Sequence, residues 1–244
     1  MASDRPPRSS AEPPLLLVGL DHRTAPLELR EQVATDGERT AEILVHLLSR
    51  PAVAEACLLS TCNRTEVYIV PPSAEDEELA FAAARDLVFL DREPELARPG
   101  RLYVRRGDEA ARHLLAVSCG LESMVLGEPE ILGQVRQAAS VAEAVGAAGT
   151  VLRRAFRSAA DAGGRVRRET AIGHGAVSLG YATVELARSI FSELDELRVL
   201  LLGAGETARL VARSLLDRGV QKLVVANRNE ARLHEFRAEF PTAE

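Results

Sequence analysis

The residues best equipped for chemistry lie in the stretch CLLSTCNRTEVYIV, residues 57–70. Cys62 stands there between two apolar, strand-like runs, and its polar neighbours are Thr61, Asn63 and Arg64. A nearby guanidinium favours a nucleophilic thiolate, and it would equally suit a bidentate grip on a substrate carboxylate. Thr61, Asn63 and the adjoining backbone amides are candidate donors to a developing oxyanion. Taken alone, this pattern favours the plainer interpretation, an inert loop cysteine with Asn63 supporting the turn.

Composition and charge restrict the class of protein. The chain has 244 residues, of which 46% are hydrophobic and 27% charged, and its net charge is −6. These values are typical of a soluble globular protein with one large or two ordinary domains, and they argue against nucleic-acid binding over the whole surface. No apolar run is long enough for a membrane span or a signal peptide, so we expect a cytoplasmic protein with no membrane partner.

The cysteines are few and are expected to be reduced. There are three, and without a secretory signal they predict thiols rather than disulfides. Cys57 lies in an apolar run and Cys119 lies near a helix end, and both are expected to pack as small core residues. The cysteines and histidines show no spacing typical of a zinc site, so we predict no metal.

The order of the patterns predicts an α/β chain with an α+β catalytic domain, a helical connector and the beginning of a Rossmann-type unit. Residues 1–13 are rich in proline, serine and arginine and are expected to form a disordered leader. Strands and helices alternate over 14–145, which predicts the catalytic domain. We place the connector at 146–196 and the incomplete dinucleotide-binding domain at 197–244.

Helical periodicity dominates the centre of the chain. Asp108 is a plausible N-cap for a helix that ends near Gly120. From Gln134 to about Phe191 the sequence is helical almost throughout. Breaks in that region are expected at Gly146, at Gly163-Gly164 and at residues 172–176.

A glycine-rich turn after the strand RVLLL is typical of a dinucleotide-binding unit. Gly203 and Gly205 open a helix there, and phosphate would sit on the amides at its N-terminus. Ala208 takes the place of the third glycine, which the fingerprint tolerates. The predicted cofactor-binding residues are Gly203, Ala204, Gly205, Glu206, Thr207, Ala208, Asn227 and Arg228.

The end of the second strand of this unit favours NADP over NAD. KLVVA is followed by Asn227 and Arg228, with no acidic residue to accept from a ribose hydroxyl. An arginine at this point suits a 2′-phosphate instead, so we expect NADPH as the cofactor. Asn229 and Glu230 are expected to start the next helix.

Three motifs together resemble one known family. STCNRTEVY, GLESMVLGEPEILGQV (120–135) and GAGETA (203–208) resemble the nucleophile motif, the second long motif and the cofactor loop of glutamyl-tRNA reductases. They occur in the family's order, and the resemblance runs from about Leu15 to the end of the chain. The first two motifs are long and chemically unusual, which makes the resemblance specific.

The resemblance implies an NADPH-dependent reduction of glutamyl-tRNA(Glu) to glutamate-1-semialdehyde at the start of tetrapyrrole (porphyrin) synthesis. Cys62 would attack the ester carbonyl, release the tRNA and hold glutamate as a thioester, which splits one difficult step into two easier ones. The implied substrate-binding residues are Thr61, Cys62, Asn63, Arg64, Ser123, Glu128, Pro129, Glu130 and Gln134.

The resemblance also gives roles to several of these side chains. Ser123 and Gln134 would hydrogen-bond the amino acid, Glu128 would pair with its α-ammonium, and Pro129 would fix the loop. Many family members carry glutamine where this chain has Glu130, which leaves that contact open. The resemblance further implies that His113 assists ester cleavage near the thiol.

His113 has a plainer interpretation from the sequence alone. It lies at the margin of an apolar helical face, beside Ala110 and Val117. From that position a half-buried packing histidine is the expectation. The cluster of six arginines in residues 151–169 is similarly open between a surface for tRNA phosphates and a solvated helical face.

Two other functions stay open, a thiol esterase on glutamyl-tRNA without redox chemistry and a non-catalytic dinucleotide- or RNA-binding regulator. The resemblance implies a homodimer through a C-terminal domain beyond this chain, and contact with the following aminomutase of the pathway. Since family members continue past the cofactor loop, the chain is interpreted either as a fragment or as a natural short form, and it is expected to stop early in the second helix of the cofactor unit.

Overall fold

The computed structural model describes residues 15–173, 179–191 and 193–243, and the chain divides into two compact units at residue 173. The predicted leader, 1–13, lies outside the described residues, as does most of the predicted break at 172–176. Both the antiparallel first unit and the parallel second unit contain helices and strands, which confirms the predicted fold class.

The first unit is built on a four-stranded sheet with strand order β2-β3-β1-β4. Every neighbouring pair is antiparallel, so this unit is of the α+β type. The two apolar, strand-like runs on either side of Cys62 form strands, as predicted. The bounds of the strands are β1 Leu16–Asp21, β2 Glu55–Ser60, β3 Arg64–Val70 and β4 Tyr103–Arg106.

Helices cover both faces of this sheet. All residues of β1 and β3 are buried, and because successive side chains in a strand point to opposite faces, each face must be covered. The helices are α1 Leu27–Val33, α2 Gly37–Leu48, α3 Glu77–Arg85, α4 Asp108–Ser118, α5 Glu130–Ala144 and α6 Thr150–Glu169.

Two details of the helices differ from the sequence-based expectation. Gly107, not Asp108, is the N-cap of α4, and Asp108 is the first helical residue, where its charge suits the positive end of the helix. The predicted break at Gly163-Gly164 was wrong, since α6 continues through both residues. The break at Gly146 is confirmed between α5 and α6.

Helix α6 belongs to the first unit and not to a separate connector. The Glu55 carboxylate accepts hydrogen bonds from the backbone amides of Val151 (3.1 Å) and Leu152 (2.7 Å) in its first turn. The Phe156 ring packs edge-on against Tyr68 of β3, with the ring centres 5.3 Å apart. The predicted connector is therefore divided between the two units.

The second unit pairs two parallel strands, β5 Arg198–Leu202 and β6 Lys222–Ala226. Its helices are α7 Leu179–Phe191, α8 Glu206–Leu216 and α9 Glu230–Glu239. The expectation that the chain stops early in the second helix was wrong. Helix α9 ends at Glu239, and Ala243 then makes a parallel bridge to Leu223 of β6. A third segment that pairs in parallel with the second strand is typical of the strand order in a Rossmann unit. Among the described helices, none has the length and apolar character to cross a membrane.

Candidate active site

Cys62 is exposed on the tight turn between β2 and β3. Thr61 builds this turn, since its amide donates to the Arg64 carbonyl (2.8 Å) and its Oγ1 accepts from the amides of Asn63 (3.1 Å) and Arg64 (3.2 Å). A hydroxyl that bonds the backbone two and three residues on stabilises such turns. Two of the amides expected to serve as oxyanion donors are therefore used inside the turn itself.

A second segment holds the same turn from the side. Arg30 at the middle of α1 donates from Nη1 to the Cys62 carbonyl oxygen (2.7 Å) and to Asn63 Oδ1 (3.1 Å). The amide of His22, just after β1, donates to the Asn63 carbonyl at 3.0 Å. Burial and the nearby arginine charges lower the pKa of His22 and outweigh the opposite effect of Asp21, so its imidazole is neutral at neutral pH.

Arg64 points into the core and not towards an open pocket. Its side chain is only 1% exposed, Nη1 donates to Glu66 Oε1 at 2.7 Å, and Nη2 donates to the main-chain oxygen of Glu122. Arg64 and Glu66 lie on one face of β3 because side chains alternate along a strand. This arrangement differs from the expected bidentate grip on a substrate carboxylate.

Glu66 is the centre of a buried polar network. Its carboxylate accepts from Arg64, from the hydroxyls of Tyr68 and Tyr103 (2.6 Å each) and from His113 Nε2 (2.7 Å). Burial opposes ionisation, but the hydrogen bond from His113 and the charge of Arg64 outweigh it and lower the pKa of Glu66 to about 2. An ionised carboxylate only accepts, so Nε2 of His113 carries a proton.

His113 is therefore more buried than a half-exposed packing residue. It is 5% exposed, lies on the buried face of α4 with Ala110 and Val117, and its ring is 5.5 Å from that of Tyr103. Its assistance to ester cleavage stays a prediction.

The second motif forms a loop closed at its base by two glycines. The Gly127 amide donates to the Gly120 carbonyl at 2.9 Å, and a Cβ on Gly120 would lie 2.8 Å from the Gly127 Cα. Since both residues have a φ of +77°, this closure requires glycine twice. The loop between them exposes Leu121, Met124 and Leu126.

Glu128 follows this loop as a half-buried carboxyl group. Burial raises its pKa, the nearby Glu130 adds to the rise, and the Ser123 hydroxyl only partly offsets it. Arg64 and Arg167 act in the same downward direction as Ser123, yet the net shift is upward. A carboxyl group whose charge is disfavoured in this way is complementary to a ligand cation. Ser123 Oγ is buried beside this carboxyl group.

The remaining residues of the second motif lie at the start of α5. Pro129 occupies the N-cap position and Glu130 is the first helical residue, where an acidic side chain is favourable. Gln134 lies one turn further on and lines a small cleft of about 120 Å³ together with Ser60, the last residue of β2. Gln134 therefore faces the strand end that leads into the Cys62 turn.

Helix α6 fixes the second motif from behind. Arg167 donates to the main-chain oxygens of Ser118 and Glu128, both at 2.8 Å, and so ties the end of α4 to the base of the loop. Sequence analysis did not predict the contacts of six residues in this region, because local patterns do not show which distant segments a side chain will reach, even for Glu66 and Glu122 inside the two motifs. The missed residues are His22, Arg23, Arg30, Glu66, Glu122 and Arg167.

The cofactor loop of the second unit has room for a phosphate. Gly203 lies directly after β5, Gly205 is the N-cap of α8, and a Cβ added to either would meet nothing within 4 Å. A cleft of about 380 Å³ opens beside the loop and is lined by Ala204, Gly205, Arg209, Arg232 and Glu235. Open glycines at a helix N-terminus with arginines alongside fit the phosphates of a dinucleotide.

The two arginines of this cleft differ in their partners. Arg209 forms ion pairs with Glu235 (3.0 Å) and Glu239 (3.2 Å). Arg232 has no side-chain ion pair within the described part of the chain. Arg228, which the sequence analysis predicted as a cofactor residue, is exposed and does not line the cleft. The arginine of this region that lines the cleft beside the loop is Arg232.

The other predicted cofactor residues have simple placements. Thr207 is exposed in the first turn of α8, which Glu206 begins, and Ala208 packs against the apolar core of the unit. Asn227 donates from Nδ2 to the Asn229 carbonyl at 3.0 Å. Asn229 caps α9, which confirms the predicted helix start.

The other two cysteines are buried. Cys57 is 1% and Cys119 is 6% exposed, and burial raises the pKa of both thiols, with Arg167 opposing it at Cys119. This confirms that they are core residues. Within the described ranges, no group of three or more His, Cys, Asp or Glu side chains is arranged to hold a metal ion.

Comparisons with known proteins show which families the chain is similar to. The family described as glutamyl-tRNA(Glu) reductase, N-terminal domain, matches residues 18–170, and the family described as shikimate/quinate 5-dehydrogenase matches 185–244. A glutamyl-tRNA reductase of Coxiella burnetii (strain Dugway 5J108-111) is 46% identical over 226 residues, which is 91% of this chain and 52% of that protein. One of Marinobacter nauticus is 44% identical over 214 residues, 88% of this chain and 49% of that protein.

A solved structure shows the same likeness. Glutamyl-tRNA reductase from Methanopyrus kandleri matches with a TM-score of 0.62 and 38% identity, over 94% of this chain and 53% of that one. The chain thus spans about half the length of the relatives that it matches. Because the N-terminal domain family covers more than half of the sequence, the chain belongs to the glutamyl-tRNA reductase family.

Proposed function

We propose that this chain carries the substrate-binding and nucleophile site of an NADPH-dependent glutamyl-tRNA(Glu) reductase, which produces glutamate-1-semialdehyde in the first step of tetrapyrrole synthesis. The observation that carries the proposal is the exposed Cys62 on a turn whose backbone is held by Thr61 and Arg30. A reactive thiol needs both access and a fixed approach to the carbonyl carbon. The family membership of the chain supports this interpretation.

In the first step, Cys62 Sγ attacks the ester carbonyl of glutamyl-tRNA. A bond forms between sulfur and the carbonyl carbon, the bond from that carbon to the ribose oxygen breaks, and the tRNA leaves as an alcohol with one proton. Thiolate attack gives a covalent thioester, which is more readily reduced than the ester. We keep the resemblance-based prediction that His113 assists this cleavage, through the network that joins it to Glu66 and Arg64.

The glutamyl group would be recognised mainly by the second motif. Glu128 is suited to the α-ammonium, since a cation would relieve the cost of ionising its half-buried carboxyl. Ser123 offers a buried hydroxyl beside the Glu128 carboxyl group, and Gln134 offers an amide beside the end of β2. Arg64 supports these groups by joining the nucleophile turn to Glu122.

The second unit would hold the dinucleotide. Gly203 and Gly205 would contact its pyrophosphate, and Arg232, with Arg228 nearby, would favour the 2′-phosphate of NADPH over NADH. When bound, NADPH supplies the hydride that converts the thioester to the aldehyde. Dimerisation through a C-terminal domain, contact with the following aminomutase and a cytoplasmic location are part of the same proposal, as the family resemblance implies them.

The proposal is tested by intact-protein mass spectrometry after incubation with glutamyl-tRNA. We expect an adduct of one glutamyl group on the wild-type chain and on Cys119→Ser, and none on Cys62→Ser. Absence of the adduct from the wild type contradicts the thioester and leaves the regulator as the better account. An adduct that decays to free glutamate at the same rate with and without NADPH favours the esterase instead.

A further inference from the structure

Arg30 lies outside all three motifs, yet it makes two contacts with the nucleophile turn. Its Nη1 donates to the Cys62 carbonyl oxygen and to Asn63 Oδ1, over 2.7 and 3.1 Å. A guanidinium has only donors, so the oxygen of the Asn63 amide must face it and the amide nitrogen must face away. Arg30 therefore decides the orientation of the Asn63 side chain.

The turn has few other groups to stabilise an oxyanion. The backbone amides of Asn63 and Arg64 already donate to Thr61 Oγ1. The Asn63 backbone is held by the His22 amide at its carbonyl, which leaves the rotation of its side chain as the main freedom. With Oδ1 engaged by Arg30, the Nδ2 group is the donor that the turn can offer next to Cys62.

We propose that Arg30 is a positioning residue for the nucleophile. It anchors the Cys62 carbonyl and turns the Asn63 amide so that Nδ2 donates to the carbonyl oxygen of the ester while Sγ attacks the carbon. This inference rests on the proposed acyl transfer to Cys62, but it concerns the turn and not the recognition of tRNA. Loss of one oxyanion donor typically lowers a rate by about 100- to 1,000-fold.

Asn63→Asp separates the two roles of the asparagine. An aspartate keeps an oxygen for Arg30 but has no amide nitrogen to donate. We expect Asn63→Asp and Asn63→Ala to slow single-turnover thioester formation by about 100-fold or more. If Asn63 only supported the turn, Asn63→Asp would instead keep the wild-type rate.

Variants of Arg30 test the coupling between the two residues. Arg30→Met is expected to slow thioester formation at saturating glutamyl-tRNA by about 10-fold, a loss that corresponds to one misplaced hydrogen-bond donor. Arg30→Lys should recover part of the rate, since an ammonium can donate to one of the two oxygens. In the Asn63→Ala background, Arg30→Met should cost less than it does in the wild type, because only its anchor on the Cys62 carbonyl is then left to lose. The matched control is Arg98→Met, which removes an exposed arginine paired with Glu95.

A second acyl donor without tRNA tests the positioning of Cys62 separately from tRNA binding. Each variant is also acylated with p-nitrophenyl acetate, with nitrophenolate release as the signal and thermal melting as the check of folding. The same order of rates is expected, with Cys62→Ser as the blank. Wild-type rates in Asn63→Asp, or fully additive losses in the double variant, would overturn the inference. If the rates with p-nitrophenyl acetate follow this order but the wild type forms no adduct from glutamyl-tRNA, the positioning role of Arg30 is supported and the proposed function fails.

Discussion

Arg64 of the nucleophile motif donates a hydrogen bond to the main-chain oxygen of Glu122 in the second motif, 58 residues away along the chain. Arg23 strengthens the same junction, since its guanidinium bonds the Asp21 carboxylate (Nε to Oδ2, 2.9 Å) and pairs with Glu122 (2.6 Å). The Cys62 turn and the loop that precedes Glu128 are therefore fixed to each other by the buried Arg64 and the more exposed Arg23. A substitution of Arg64 should therefore disturb both the Cys62 turn and the loop around Glu122.

The first prediction is that Arg64→Lys lowers both stability and thioester formation. A lysine keeps the charge opposite Glu66 but cannot also reach the Glu122 carbonyl, so we expect a loss of about 1–3 kcal/mol in unfolding free energy. Urea unfolding followed by circular dichroism measures it, with Arg106→Lys, at an exposed pair with Glu77, as the control. A large loss of activity with unchanged stability would show that Arg64 contacts the substrate directly, as the sequence alone had indicated.

Arg64 also shows where prediction from the sequence ends. The apolar runs on either side of residues 61–63 were sufficient to predict the strand, turn and strand, because alternation and turn-forming residues act locally. They could not show that the arginine pairs with Glu66 on one face of β3 and meets Glu122 from a distant loop. Such contacts depend on how separate segments pack, which no local pattern contains.

The glycines of α6 give the converse case. Gly163 and Gly164 were interpreted as a helix break, because glycine is a poor helix former. In the structure, Gly163 lies against the main-chain oxygen of Ser118, and packing between α4 and α6 overrides the local propensity. The strand, turn and helix around Gly203 were predictable because they form a short local unit, whereas Arg232 reaches the neighbouring cleft from the following helix, which no local pattern indicated.

The second prediction concerns the pH dependence caused by Glu128. Burial raises its pKa above the ordinary value of 4.5, so the folded protein holds this proton more firmly than the unfolded chain does. The contribution of Glu128 to stability is thus present below pH 4.5 and is lost as the pH rises through the raised pKa. Relative to Glu128→Gln, the wild type should lose unfolding free energy over that range in urea titrations.

Substrate binding should show the opposite sign, because an α-ammonium pairs only with the ionised form. The affinity of the wild type for glutamyl-tRNA should rise as Glu128 ionises, while Glu128→Gln should bind more weakly and without this rise. Glu143→Gln, on the same helix as Gln134 but outside the site, is the matched control. Equal pH profiles for wild type and Glu128→Gln would remove Glu128 from the ammonium site.

The third prediction compares two helical glycines. A Cβ on Gly163 would lie 2.5 Å from the Ser118 carbonyl oxygen, so Gly163→Ala should destabilise the protein by about 1–3 kcal/mol despite its better helix propensity. A Cβ added to Gly133 in α5 would meet no atom within 4 Å, so Gly133→Ala should stabilise the protein by up to about 1 kcal/mol. Urea midpoints measure both. Two substitutions with the same sign would mean that α6 does not approach α4 this closely.

The fourth prediction tests the arginines of α6 as a tRNA surface. Arg154 and Arg157 are exposed and line an open cleft of about 430 Å³ with Thr150 and Asp161. If they contact phosphates, Arg154→Gln with Arg157→Gln should weaken tRNA binding and reduce the slope of log affinity against log salt by about 1.5–2. Filter binding of deacylated tRNA at several salt concentrations measures the slope. Unchanged slopes would show that this face of α6 is simply solvated, and Arg98→Gln controls for loss of charge elsewhere.

The last prediction assigns the 2′-phosphate of the cofactor to Arg232. Arg232 lines the cleft beside Ala204 and Gly205, and it lies in the first turn of α9, four residues after Arg228. A charge-assisted hydrogen bond contributes about 1.5–3 kcal/mol, so Arg232→Ala should weaken NADPH binding by about 10- to 100-fold. NADH binding should hardly change, because NADH lacks the phosphate, and fluorescence titration of each nucleotide measures the difference. Arg237→Ala, in the last turn of α9, serves as the matched control. Loss of discrimination in Arg228→Ala but not in Arg232→Ala would return the role to the residue that the sequence first indicated.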